Sequence, residues 1–382
     1  MLVVYFALMK ILIVGGGIAG CACAALLRKY RVGEVTLVEK APEFRNIGYL
    51  IALWNTGRKV LKELGVDERV VKNGCEFDSD LVLDKSGRLI KAVPHEDFKP
   101  LGSTIVIKRA DLHAGLFGIL KDIDIRFNTT CKDIQQKGNG VTVEFSADKV
   151  ETFDLVIGAD GLHSSVREQV FGQNFLQYYG WRIWMWWLPE EYKHPNGAIG
   201  YYGSGKICAV LPFFETSVAY LVALTSPQVK NFIDERPKLK ELFSDFCKDA
   251  KDIVTTAPSR ENMYYDDIAS VRMPLWHKGR VVLIGDAQHA VSPVTGMGAS
   301  MAMEDATVLV EELRKNKSVD VALSCFAVRR EKRIQRFREI VDQMDGWTMA
   351  DGIFGYLRNK MLSYVPAWYF VNTLRKFVEA EI

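Results

Sequence analysis

A near-continuous apolar run, Lys10-Ile-Leu-Ile-Val14, opens the readable part of the chain, the pattern of a strand covered on both faces. It enters three glycines and then a helical stretch, Ile18 to Tyr30, before a second apolar strand, Val35 to Glu39. Two later runs, Asp154 to Ala159 and Arg280 to Ile284, also read as buried strands. Ahead of them, Thr56 to Leu64 and Asp111 to Leu120 predict helices, and Asp124 to Phe127 and Val141 to Phe145 predict strands. Phe77 to Val93 predicts a hairpin, with Lys85-Ser-Gly-Arg88 as its turn. From Phe175 to Thr225 the pattern changes to aromatic, β-prone runs broken by Pro and Gly, with no helical period. Lys238 to Cys247, Gly298 to Arg314 and Phe326 to Val341 read as helices. The last places Ile334, Phe337 and Val341 on one face, and its basic run (Arg329, Arg330, Lys332, Arg333, Arg336, Arg338) reads as solvated.

This order predicts an α/β fold. A Rossmann-like domain is interleaved with a mostly antiparallel sheet that forms the substrate domain, and helices follow at the C-terminus. The discontinuous first domain takes residues 1–75, 100–175 and 270–340, the substrate domain 76–99 and 176–269, and the helical segment 341–382. Residues 1–8 read as an extension ahead of the first strand.

Composition narrows the function. A chain of 382 residues with net charge +2 carries no electrostatic footprint for nucleic acid. Seven cysteines without a CxxC pair, and histidines without metal spacing, argue against a disulfide framework or metal centre and for a reduced, cytoplasmic protein. Cys21 and Cys23 read as small packing residues. Met361 to Leu374 is uncharged and aromatic, but its fourteen residues fall short of the roughly 20 that span a bilayer. It reads as a packing element, with an interfacial membrane helix as the alternative.

The chemistry sits at strand ends. In Gly15-x-Gly17-x-x-Gly20, Gly15 permits the tight turn, Gly17 admits a pyrophosphate to the backbone, and Gly20 lets helix and strand pack closely. The helix N-terminus at Ile18 and Ala19 offers unpaired N–H groups to phosphate. Glu39, nineteen residues past Gly20, is placed to accept hydrogen bonds from a ribose diol. Two more strand ends carry acids, Asp160 in Gly158-Ala-Asp-Gly161 and Asp286 in Gly285-Asp-Ala287. Ligands of open α/β sheets lie beyond such ends, so Asp286 suits a sugar-like hydroxyl chain. Gly296 to Ala299 then opens a second helix whose N–H groups suit an anion.

These residues resemble the single-component FAD-dependent aromatic hydroxylases, the para-hydroxybenzoate hydroxylase-like flavin monooxygenases. Three motifs match in order: GxGxxG at Gly15, DGxxSxxR from Asp160 to Arg167, and GDAxHxxxPxxGxG from Gly285 to Gly298. Arg45-Asn-Ile-Gly48 and Lys108-Arg109-Ala-Asp-Leu-His113 match more weakly, and the likeness runs from about Lys10 to Leu313. The resemblance implies FAD, with NADPH or NADH as co-substrate, and a flavin hydroperoxide that hydroxylates an aromatic or polyketide-like small molecule. It implies Glu39, beside Lys40, at the adenosine ribose, and Arg109 and Asp286 along the ribityl-pyrophosphate stretch. Arg45, Gly48 and Pro293 would border the ring. Backbone at Gly296, Met297, Gly298 and Ala299 would face the ring's pyrimidine edge, and Asp160 with Arg167 would support FAD or nicotinamide binding. Met297 and Ser300 depart from the Gln and Asn frequent in the family.

No protein nucleophile is implied; the protein's task is to exclude water, with Tyr178 to Trp187 and Ile199 to Val222 as pocket walls. His163 and His289 read as hydrogen-bonded structural residues, and Met297, Met301 and Met303 as packing. The run Trp184-Met-Trp-Trp-Leu-Pro189 also resembles the WxWxIP motif of flavin-dependent halogenases. That reading, a prenyl reductase and a non-enzymatic flavin-binding sensor stand as alternatives. The small-molecule enzyme would act as a monomer or homodimer.

Overall fold

The computed structural model describes residues 9–43, 50–76, 79–94, 96, 104–146, 148–173, 175–192, 197–225 and 234–366, with 368, 372, 375 and 378. The expectations for residues 1–8, Arg45 and Gly48 lie outside these.

Two large sheets carry the architecture. The first has six strands in the order His277–Lys278, Val281–Leu283, Leu155–Gly158, Lys10–Val14, Glu34–Val38, Asp124–Arg126. All neighbours run parallel except the antiparallel edge pair at His277. Parallel strands need crossovers, and the helix Ile18–Tyr30 supplies the first. The second sheet has seven strands, Tyr264–Val271, Leu176–Trp187, Thr216–Leu224, Lys206–Phe213, Ala198–Tyr202, Ser79–Asp84, Leu89–Pro94. It is antiparallel except where Ala198–Tyr202 pairs with Ser79–Asp84, which joins the early hairpin to the later sheet. A short sheet, Leu50–Leu53, Ile105–Lys108 and Gly74–Cys75, lies beside them, and Cys131–Lys137, Gly140–Phe145 and Val150–Phe153 form a meander.

The period of two in Leu176–Trp187 divides its aromatics between two layers. Trp184 and Trp186 pack among Leu239, Phe243, Ile253 and Val254 of the helices Arg236–Leu242 and Lys248–Thr255. Trp181, Ile183 and Met185 face the opposite way, into a layer shared with Leu50, Phe213, Val222 and Met349. Only alternate residues of the expected aromatic wall therefore face the other domain.

The C-terminal helices correct three expectations. The basic helix, expected from Phe326 to Val341, extends over Val319–Thr348. Its basic run is not simply solvated, because Arg330 and Arg333 are buried. Arg330 Nε donates to Asp305 Oδ1 at 2.7 Å and its Nη1 to Glu304 Oε2 at 3.0 Å. Arg333 donates to both oxygens of Glu304, at 2.7 and 3.0 Å. Periodicity missed this because both carboxylates come from another helix, Gly298–Lys315. Met361, Tyr364 and Trp368 are exposed, so these residues of the expected packing element do not pack inward. Hydropathy marks an apolar face but not the direction in which it points.

Phe337, Val341, Asp345 and Met349 follow at four-residue steps and are all buried. The only ionisable group in that row, the Asp345 carboxyl, is pushed up to about 7 by burial and by Asp342, against the opposing pull of Ser292 and Arg272.

Breaking the Arg330 network leaves Glu304 and Asp305 buried with fewer partners, so Arg330→Met should cost about 3–5 kcal/mol in denaturant unfolding. For Asp345 the folded chain binds the proton more tightly than the unfolded chain. The stability this group contributes is full at low pH and is lost as pH rises through about 7. Asp345→Asn should therefore melt higher than wild type above about pH 7, with the gap closing toward pH 5.

Candidate active site

The glycine turn is built by three different close approaches. Gly15 has φ +106°, and a Cβ there would meet the Ala159 carbonyl oxygen at 2.5 Å. A Cβ on Gly20 would collide with the Gly15 carbonyl, so helix and turn touch through backbone. At Gly17 a Cβ would meet nothing within 4 Å. Gly17 is therefore not required by the protein's own packing; the space beside it is open to a ligand.

Two helices approach the Gly285 turn, where a Cβ would meet Ala19 at 3.0 Å and Ala302 at 3.2 Å. The helix starting at Ile18, with Ala19 in its first turn, has Gly17 as N-cap, no side-chain cap and no acid in its first turn. The helix starting at Gly298 has Met297 as N-cap and is likewise uncapped, with no acid in its first turn. Both keep free N–H donors and the positive dipole end for an anion. A Cβ on Gly298 would also meet nothing within 4 Å, while one on Gly296 would press on Ala52. Met297, Met301 and Met303 are fully buried in the core, which leaves backbone to face outward at this turn.

Glu39 ends the second strand as anticipated, but it is already engaged. Its Oε2 accepts from Gly16 N and its Oε1 from Ala41 N, both at 2.9 Å. A carboxylate has further lone pairs, so the same oxygens can still accept from a diol. Lys40 beside it is exposed. Asp286 follows the strand Val281–Leu283 and is exposed. The protein mass around it nonetheless raises its pKa, with His289 and Arg109 pulling the other way. Arg109, which starts the helix Arg109–Phe117, thus lies within electrostatic reach of Asp286.

The middle motif has an internal role. Asp160 Oδ2 accepts from Ser165 N at 2.7 Å and from Val166 N at 3.1 Å, capping the helix Ser165–Phe171. Its Oδ1 is buried with no partner among the described residues. Arg167 is buried and donates to the carbonyls of Ala287 at 2.8 Å and Leu162 at 2.6 Å. It staples this motif to the Gly285 motif. His289 is buried and donates from Nε2 to Asp305 at 2.6 Å, as its structural reading requires. His163 is exposed in a turn instead.

Several residues of the region escaped sequence reasoning. His113 is buried under the glycine turn with Nε2 2.6 Å from the Gly16 carbonyl, and burial lowers its pKa. Lys108 holds its ammonium 4.9 Å from the Trp187 ring and 5.6 Å from that of Phe213. Ser292, just before Pro293, donates to Asp345 Oδ1 at 2.6 Å and accepts from Val294 N at 3.3 Å. A lone acid in an apolar four-residue row was the signal that marked Asp345. Trp54 joins the Pro293–Thr295 turn by donating from Nε1 to Thr295 O at 3.1 Å. Cys21 and Cys23 are buried, their thiols pushed up to about 12 by burial, and all seven cysteines are free.

The turn, the two uncapped helices and Asp286 fit a long dianionic cofactor with a polyhydroxyl stretch. Comparisons with known proteins agree. The model of the FAD binding domain family matches residues 9–320. A flavin-dependent monooxygenase of Legionella longbeachae is 27% identical, covering 80% of each chain. The 2-heptyl-3-hydroxy-4(1H)-quinolone synthase of Pseudomonas aeruginosa is 29% identical over 94% of each. Among solved structures, tetracycline destructase Tet(55) is 25% identical, covers 98% of both chains and superposes with a TM-score of 0.79. Klebsiella pneumoniae HpxO, complexed with FAD and uric acid, shares the fold with a TM-score of 0.85 at 22% identity, covering 97% of this chain and 96% of its own. The chain belongs to the FAD binding domain family, within its flavin-dependent monooxygenases.

Proposed function

We propose that this protein is a self-sufficient FAD-dependent monooxygenase that takes reducing equivalents from NADPH or NADH and hydroxylates an aromatic or polyketide-like small molecule. The observation that carries the reading is a pair of uncapped helix N-termini, each with open space at its glycine, Gly17 and Gly298, whose helices both approach the Gly285 turn that leads into Asp286. When bound, FAD supplies the redox chemistry and the activation of oxygen. The chain's own residues bind and orient it. Backbone N–H groups at Ile18 and Ala19 would meet the pyrophosphate, Glu39 the ribose, and Asp286 with Arg109 the ribityl stretch. Pro293 and backbone at Gly296 to Ala299 would flank the ring, where a helix dipole favours negative charge.

The apolar layer around Trp181, Met185, Phe213 and Met349 excludes water from the reacting end. Trp184 and Trp186, the core of the halogenase-like run, donate to Glu235 and Thr256 on the far side of the sheet. Their packing accounts for the run without halogenation. The quinolone synthase relative makes alkyl quinolones the first compounds to test beside phenols and polyketides.

Gly17→Val should abolish FAD retention without unfolding the chain, since its side chain enters open space, measured by flavin content and melting together. Asp286→Ala should weaken FAD binding by about 1 kcal/mol or more, as a lost buried hydrogen bond does. With NADPH, isotopically labelled oxygen and an accepted substrate, the product should gain one labelled atom without halide or a partner reductase. A chlorinated product, or a strict need for an external flavin reductase, would refute the assignment. Failure of every aromatic and polyketide tested to stimulate NADPH oxidation would count for a reductase or sensor.

A further inference from the structure

The helix Gly352–Leu362 is inverted relative to an ordinary surface helix. Gly355 and Arg358 face the body of the protein and are buried. Ile353 and Phe354 are each 69% exposed, Met361 50% and Leu357 42%. At 100° per residue these four fall within about one 100° sector, a single outward apolar stripe. Four aromatics of this stretch of the chain are also exposed: Trp347, Tyr356, Tyr364 and Trp368, the last two by 79% and 62%.

The helix is held firmly in that orientation. Arg358 donates to Gly203 O at 2.9 Å and to Thr348 O at 2.7 Å, and lies over the Tyr202 ring. Gly352 N donates to Ser204 Oγ at 2.6 Å, and Gly205 N to Ala350 O at 3.1 Å. The stripe cannot turn inward without breaking these bonds.

We propose that this helix is an interfacial docking surface for an anionic lipid bilayer, lying flat with its apolar stripe below the headgroups. Charge argues for that occupant. Asp351 stands at the N-cap of the helix and Glu379 and Glu381 follow the segment, but between them the charged residues are Arg358, Lys360, Arg375 and Lys376; Arg358 is buried, and Lys360 is exposed beside the stripe. Side-chain chemistry agrees, with aliphatic residues and Phe in the stripe and Trp and Tyr around it, the residues that settle at headgroup level. No helix among the described residues is long and apolar enough to cross a membrane, so the contact is peripheral. A second copy of the chain is the weaker occupant. A stable dimer buries about 800 Å² per partner over roughly 20–30 residues a side, more than this narrow stripe offers.

The location gives the docking a purpose. The helix begins three residues after Met349, which packs with Trp181, Ile183 and Leu50 in the layer between the sheets. A docked protein would hold that layer close to the bilayer, where an aromatic substrate with a hydrocarbon tail accumulates. This consequence rests on the monooxygenase reading; the docking does not.

The test is flotation of the FAD-loaded, full-length protein with vesicles of phosphatidylcholine alone or mixed with phosphatidylglycerol. The wild type should float with the mixed vesicles, less with phosphatidylcholine alone, and less as salt is raised. The double substitution Ile353→Ser and Phe354→Ser should lower the bound fraction at least tenfold, and Lys360→Glu should remove the preference for anionic lipid. Both variants alter exposed side chains, and unchanged flavin content and melting temperature verify the fold. Wild-type binding by the serine variant, or no vesicle binding at all, would overturn the proposal. So would a vesicle-free dimer that the serine pair dissolves, since it would assign the stripe to a second copy. A protein that binds vesicles but hydroxylates nothing would leave the docking intact and defeat only the functional reading.

Discussion

One buried carboxylate ties the functional motif to the core. Asp305 is fully buried, where an unpaired charge would be prohibitive. Its Oδ2 accepts from Gly285 N at 2.7 Å and from His289 at 2.6 Å, and its Oδ1 from Arg330 at 2.7 Å. Burial raises its pKa, but His289, Arg330 and the Gly285 N–H outweigh that and keep it below the ordinary value. The turn presenting Asp286 therefore hangs on a residue in the helix that starts at Gly298, and that helix is held in turn by Arg330 and Arg333. The turn that carries Asp286 and the helix that starts at Gly298 thus share one rigid support, which is what preorganisation of a site requires.

A second set of ties links this support to the rest of the site. Arg167 joins the Asp160 motif to Ala287, and Glu39 and His113 both hold Gly16 in the glycine turn. Ser292 and Asp345 connect the turn at Pro293 to the long C-terminal helix, whose end at Met349 enters the layer under the antiparallel sheet. Motifs far apart in sequence are therefore mechanically connected, and each polar tie is buried or half-buried, where a hydrogen bond left unmade is costly.

Much of the fold was legible in advance because its signals are local. A strand covered on both faces is an apolar run, a helix N-terminus follows a glycine turn, and a hairpin announces its turn residues. Those rules placed the parallel strands, the helix at Ile18, the hairpin at Ser79 and the helix at Gly298 within a few residues. They failed at the helix that runs on to Thr348 and at the second short helix, Lys248–Thr255, where no strong stop or start signal breaks the chain.

The sequence by itself determined where the motifs fall: glycines at positions 15, 17 and 20, acids at strand ends, and a second glycine turn opening a helix at Gly298, each specified by short-range spacing. The tertiary structure alone decided how those residues are used. It made Asp160 a helix cap and Arg167 a staple, and it committed Glu39 to two backbone amides. It turned Trp184 and Trp186 away from the active-site layer, buried Arg330 and Arg333 against acids of another helix, and set Asp345 against Ser292. It also turned the apolar face of Gly352–Leu362 outward. The physical reason is the same in each case. Periodicity states that a face is apolar or charged, but which partner covers it depends on elements brought together from distant parts of the chain.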